Sequence, residues 1–176
     1  MPEGPEVTII TEGLHAYLAK QRIHAFEFTE KGRYHTKAPD GWPAFAESLH
    51  LGPVTVKEVR NKGKFIWWVF SNGWYKTAKP FTGAVVIYGR DRTALYYNDQ
   101  RHFGTFKFIA PETAKQELAK KLASLGPDML NESGVTVSDF KGILRREGLA
   151  HRLLANVLLD QSVVSGIGNY LRAEIL

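Results

Sequence analysis

Apolar residues recur at Val7, Ile10, Leu14 and Leu18, three or four positions apart, and predict an amphipathic helix over residues 5–21. From Ile23 the period changes. Short apolar runs separated by turn residues predict strands over residues 23–30, 54–60, 64–70, 74–79, 84–88, 94–98 and 103–109. Ser71-Asn72-Gly73 and Gly89-Arg90-Asp91 supply turns. Residues 31–42 read as a polar loop and residues 43–50 as a short helix. Six or seven strands at this spacing predict an antiparallel β-sandwich or barrel.

The pattern changes again at Ala110-Pro111-Glu112. Residues 112–125 are helical by composition and are stopped by Gly126-Pro127. Thr136 or Ser138 caps a helix running to about residue 146. Another spans residues 149–159, with Leu153, Leu154, Val157 and Leu158 on one apolar face, and a last helix starts near Gly168. The expected fold is α+β: an N-terminal domain over residues 1–110 and a helical domain over residues 111–176, with a cleft between them.

Composition narrows the functions this fold can serve. The 176 residues carry a net charge of +5, with a pI near 9.4, which suits a polyanionic partner. There is no cysteine, so disulfides and thiolate-bound zinc are excluded within this chain, and six scattered histidines lack ligand spacing. No metal and no other cofactor is expected. No apolar run approaches the roughly 20 residues of a membrane span, and the N-terminus lacks a basic-then-apolar leader. No membrane partner is expected, and the location is expected to be intracellular rather than secretory.

Four stretches carry candidate chemistry. The chain opens Met1-Pro2-Glu3-Gly4-Pro5-Glu6. Once Met1 is removed, Pro2 presents a secondary amine. An α-amino group titrates near 7.7–8.0, against about 10.4 for lysine, so more of it is neutral and nucleophilic at pH 7. Glu3 beside it can give or take a proton. The same six residues also read as a stiff leader into a helix. Lys64 opens the apolar run Phe65-Ile66-Trp67-Trp68-Val69-Phe70, which fits either a phosphate contact or a solubilising strand-edge lysine. Arg101 and Phe103, in Asn98-Asp99-Gln100-Arg101-His102-Phe103-Gly104, suit wedging into a duplex, or a core phenylalanine beside a surface arginine. Phe81 has the same two readings. Gly166-Ile167-Gly168-Asn169 offers backbone N–H groups and an asparagine to a phosphate, or simply turns a helix–helix corner.

Taken in order, these motifs resemble the Fpg/Nei DNA glycosylases. The matching residues are Pro2-Glu3-Gly4-Pro5-Glu6, Gly63-Lys64, Gln100-Arg101-His102-Phe103-Gly104, and Leu158-Leu159-Asp160-Gln161 leading into Gly166-Ile167-Gly168-Asn169-Tyr170-Leu171-Arg172-Ala173-Glu174-Ile175-Leu176. Gly4 and the final eight residues resemble the Nei-like branch. The resemblance implies a β-sandwich fronted by a helix, then a helical domain with a helix–two-turn–helix motif. It implies a bifunctional glycosylase/AP lyase acting on double-stranded DNA with oxidised bases, pyrimidines favoured, or abasic sites. Pro2 would attack C1′ and form a Schiff base, Glu3 would move protons at the opening sugar, and Lys64 would contact the backbone and assist β- and δ-elimination. Asn169, with Gly168 before it, would hold a phosphate beside the lesion. Arg101 and Phe103 would fill the void left by the extruded base, Phe81 would stand where many relatives have methionine, and Glu6 would support the site.

Two departures accompany the resemblance. Family members continue beyond the last helix into a finger that carries a phosphate-gripping arginine, so this chain is expected to be a shortened one or to be completed by a partner segment. It is otherwise expected to be a monomer. His102 stands where Arg-Arg-Phe-Gly is commoner in the family. A DNA-binding module that keeps the site residues but turns over poorly is the second reading. A structured-RNA binder is the third, and it leaves Pro2, Glu3 and Lys64 unexplained.

Overall fold

A computed structural model describes residues 2–28, 34, 36–78, 84–97, 105–131, 135–146, 148–149 and 151–176. Phe81, Arg101, His102 and Phe103 lie outside the described residues. The elements follow the order α1 (Gly4–Leu18), β1 (Arg22–Phe28), α2 (Trp42–Leu51), β2 (Val54–Lys62), β3 (Phe65–Phe70), β4 (Tyr75–Ala78), β5 (Ala84–Tyr88), β6 (Thr93–Tyr97), β7 (Phe106–Ile109), α3 (Pro111–Ala123), α4 (Val137–Leu144), α5 (Leu154–Leu159) and α6 (Asn169–Ile175).

All seven strands pair antiparallel in the order β6-β5-β1-β2-β3-β4-β7. β1 and β7 stand four places apart, about 19 Å in a flat sheet. Yet the Phe26 ring of β1 lies 5.5 Å from that of Phe108 on β7 and 6.4 Å from that of Phe70 on β3. The sheet therefore folds over on itself into a sandwich. Its bend falls at the short β1–β2 ladder, where only Arg22↔Thr55 and Ile23↔Val54 pair. Phe45, Trp68, Phe70 and Phe108 fill the interior with Val54, Val56 and Ile66. Burying aromatic area on this scale dominates the folding energy of the layer.

α1 covers the sandwich with Val7, Leu14 and Leu18, the spacing expected of a helix with one buried face. The predicted loop over residues 31–42 ends inside an element, because Trp42 begins α2 and packs against Phe28 and Phe108. Beyond Pro111 the fold is helical, with a second, smaller core of Ile143, Val157, Val163 and Val164. Thr136 caps α4 reciprocally with Asp139: Asp139 N–H donates to Thr136 Oγ1 at 3.2 Å and Thr136 N–H donates to Asp139 Oδ2 at 2.7 Å. The helix expected over residues 149–159 is shorter than its apolar pattern implied. Gly148, Leu149, His151 and Arg152 lie in turns or bends rather than helix, Leu153 is an extended N-cap 73% exposed, and only Val157 and Leu158 of the expected face are buried. α5 and α6 are joined by a turn at Gln161, Ser162 and Val163 followed by bends at Val164 and Gly166.

Candidate active site

Glu3 is extended, 3% exposed, and sits one residue ahead of α1. Its carboxylate reaches across to the start of α6. Gly168 N–H donates to Oε2 at 2.7 Å, Leu171 N–H to Oε2 at 3.0 Å, and Tyr170 N–H to Oε1 at 2.9 Å. First-turn amides have no partner inside their own helix, and the helix dipole favours a negative charge there. The expectation that this turn would offer its N–H groups to DNA is corrected here, since the protein's own carboxylate takes three of them. Gly168 makes this possible by its size rather than its torsion: a Cβ on it would stand 2.1 Å from Glu3 Oε1.

A backbone clasp holds the same turn against two other segments. Gly4 N–H donates to the Gly166 carbonyl at 2.8 Å. Gly166 has φ +101, and a Cβ on Gly63 would stand 2.6 Å from Gly166 N. Gln161 fastens the turn from within, accepting Gly166 N–H at 3.0 Å and donating to the Ile167 carbonyl at 2.8 Å. Asp128, 2% exposed, fastens the Gly63 side: its Oδ2 accepts Gly63 N–H at 2.6 Å and Asn131 Nδ2 at 2.8 Å, while Oδ1 accepts the N–H groups of Leu130 and Asn131. Asn131 Nδ2 also reaches Thr8 Oγ1 on α1 at 2.9 Å.

Lys64 follows Gly63 and lies in the β2–β3 turn, one residue before the strand it was expected to open. It is partly buried. Burial pulls its ammonium pKa below the ordinary lysine value, and the nearby Glu3 charge opposes that pull. Glu3 and Lys64, far apart in sequence, thus share one electrostatic environment. Glu6 accepts Glu3 N–H on Oε2 at 3.0 Å and the Tyr170 hydroxyl on Oε1 at 2.7 Å. That hydroxyl bond holds the Glu6 carboxyl below its usual range and pushes the Tyr170 phenol up to about 12. Pro2, partly exposed, leads directly into Glu3, and Asn169, exposed, is the first residue of α6.

Residues 1–106 match the profile of the formamidopyrimidine-DNA glycosylase N-terminal domain. The chain belongs to the formamidopyrimidine-DNA glycosylase family. Family members named formamidopyrimidine-DNA glycosylase include those of Ligilactobacillus salivarius, 30% identical, and Bdellovibrio bacteriovorus, 31% identical; both align with the whole chain. The chain spans 65% of the first relative's length and 66% of the second's. The Lactococcus lactis Fpg bound to DNA containing an oxidised pyrimidine superimposes with a TM-score of 0.74 at 20% identity, covering 99% of this chain and 67% of that one. The same glycosylase bound non-covalently to AP-site DNA gives 0.69 at 19% identity, covering 95% and 65%. The fold is therefore that of the family.

Against the sequence expectations, the structure brings together Pro2, Glu3, Glu6, Gly168 and Asn169, with Lys64 inside the field of Glu3. Asp128, Gln161 and Tyr170 were not singled out as site residues. Asp128 follows Gly126-Pro127 and accepts amides two and three residues ahead, so its local turn had a sequence signal. Its bond to Gly63, 65 residues away, had none. Among the described residues no group of three or more His, Cys, Asp or Glu is placed to hold a metal ion, and no helix is long and apolar enough to cross a membrane.

Proposed function

We propose that this chain is a bifunctional DNA glycosylase/AP lyase of the base-excision type, with the amine of Pro2 as nucleophile. The observation that carries the reading is the Glu3 carboxylate, which is buried, adjacent to Pro2 and clamped by three amides of α6. A carboxylate has about four lone-pair sites. Two on Oε2 and one on Oε1 are taken, which leaves one site on Oε1 for proton exchange at the sugar. Pro2 nitrogen, freed by loss of Met1, forms a bond to C1′ as the bond from C1′ to the base breaks and the departing base takes a proton from water. Glu3 accepts the N–H proton that the Pro2 nitrogen gives up and passes it to the ring oxygen, which opens the sugar to an iminium. Loss of a C2′ proton then expels the 3′ phosphate by β-elimination, and δ-elimination follows.

Lys64 and Asn169 hold phosphates on either side of the opened sugar in this reading, and Glu6 keeps Glu3 in place through its backbone N–H. Arg101, Phe103 and Phe81 fill the gap in the duplex. Residues 1–110 form the catalytic domain and residues 111–176 the DNA-binding one. Oxidised pyrimidines are the favoured lesions, on the strength of Gly4 and the Nei-like ending Asn169-Tyr170-Leu171-Arg172-Ala173-Glu174-Ile175-Leu176.

Borohydride reduction in the presence of abasic-site duplex tests the assignment. Protein lacking Met1 should be trapped covalently at residue 2. Retained binding to damaged duplex without trapping would replace the enzyme with a binding module.

A further inference from the structure

The carboxylate of Glu3 stands at one end of α1. Roughly 20 Å along the helix, past its other end, lies a second concave site. This pocket, of about 460 Å³, is lined by Lys20, Gln21, Arg22, His24, Gly89 and Arg90. Lys20, Arg22 and Arg90 are exposed, and none of the three forms an ion pair among the described residues. The nearest acid in sequence, Asp91, stands at the rim beside Gly89, where its Oδ1 accepts the hydroxyl and N–H of Thr93 at 2.6 and 3.2 Å. A helix C-terminus attracts one cation through its dipole, which accounts for Lys20. It does not account for Arg22, on β1, or for Arg90, on the turn after β5.

The backbone of this corner is well fixed. Gly89 N–H donates to the Arg22 carbonyl at 3.0 Å, and Lys20 N–H donates to the Val56 carbonyl at 2.8 Å. The Gly89 carbonyl can only accept, so His24 Nε2 donates to it at 2.9 Å. Among the described residues only two that are not glycine adopt a left-handed backbone, Lys20 at φ 67 and Arg92 at φ 56. Both are cations, one in the pocket and one two residues from Arg90. Glycine or asparagine suits such positions better, so retaining a charged side chain at both runs against backbone preference.

We propose that this corner is a phosphate-binding site, separate from the DNA-contacting residues around Glu3. Two arginines and a lysine lining one concavity match the charge and the several acceptor oxygens of a phosphate better than those of a single carboxylate. The phosphate comes from a free phosphate or nucleotide, or from DNA backbone outside the lesion contact. The site does not depend on the catalytic reading and stands if that reading fails.

Amide NMR of the full chain, titrated with inorganic phosphate against chloride at constant ionic strength, is the test. Saturable shifts at Gln21, Arg22, Gly89 and Arg90 are expected, and they should vanish in Arg22→Gln/Arg90→Gln. Shifts that stay linear with concentration, or that survive in this variant, overturn the site. Undamaged duplex then separates the two sources. A loss of about tenfold in affinity in the double variant points to DNA backbone. Unchanged DNA affinity alongside saturable phosphate binding points to the free anion or a nucleotide.

Discussion

Glu3 and Gly168 are separated by 165 residues, and the Gly168 N–H donates to Glu3 Oε2 at 2.7 Å. The contact ties the first residues of the chain to the first turn of α6, so whatever reacts at the N-terminus is held in register with the α5–α6 connection. Glu3→Gln keeps the size of the side chain but replaces an acceptor oxygen with an amide that opposes N–H donors. Base excision should fall at least about 100-fold, while strand cleavage at a preformed abasic site survives in part. Parallel assays on a damaged-base duplex and an abasic duplex read the difference; equal loss in both would contradict a proton-transfer role for Glu3.

Asp128 acts on the other side of the clasp. It is buried, and two of the amides it accepts belong to Gly63 and Asn131, so it links the β2–β3 turn to the segment before α4. Asp128→Ala strands these donors and should destabilise the protein by about 3 kcal/mol. Denaturant unfolding measures that loss. Because Lys64 follows Gly63, the folded variant should also show a raised KM for abasic DNA with a smaller change in kcat.

How much of this was written in the sequence differs from element to element. β5 matches its sequence prediction at both ends, and α6 begins where Gly168 said it would, since both are governed by local pattern and turn chemistry. Residues 149–159 misled, because an apolar run at helical spacing does not reveal that Leu153 faces solvent. The site was legible as a set of motifs but not as a geometry. Nothing around Gly168 states that its amides face Glu3, or that Gly63 meets Ser165 and Gly166. Such long-range contacts depend on how the sandwich and the helices meet. Lys76 was invisible for a related reason: its inward position is set by pairing with Trp68 on β3 and Phe108 on β7.

Lys64 gives the site a pH dependence with a definite sign. Burial lowers its pKa from the ordinary lysine value, so its positive charge is lost at a lower pH than that of a free lysine. If that charge holds a phosphate, strand cleavage should decline on the alkaline side before ordinary lysines titrate. Lys64→Arg keeps a cation that does not deprotonate in this range. Its pH–rate profile should lose or displace upward that alkaline limb, whatever its effect on the maximum rate.

The Glu6–Tyr170 pair makes a second titration prediction. The Tyr170 hydroxyl is the largest influence holding the Glu6 carboxyl low. In Tyr170→Phe the bond is gone, and the Glu6 midpoint should move up toward the usual carboxylate range. Carboxyl carbon shifts followed by NMR against pH give the midpoint directly; an unchanged midpoint would show that the hydroxyl does not set it.

Lys76 ties stability to pH. It is fully buried, with Nζ 3.9 Å from the Trp68 ring centroid and 4.0 Å from that of Phe106, and burial holds its pKa well below the ordinary value. In the window between that lowered folded pKa and the unfolded value near 10.4, the unfolded chain binds the proton and the folded chain does not. Unfolding therefore takes up a proton, and stability rises with pH across that window. The ring contacts offset part of the cost of burying the amine. Lys76→Met, of similar length and without a titrating group, should lose this pH dependence. Urea unfolding at a series of pH values should show the native protein gaining stability relative to the variant as pH rises. A gap that stays constant with pH would mean that the buried lysine does not give up its proton on folding in that range.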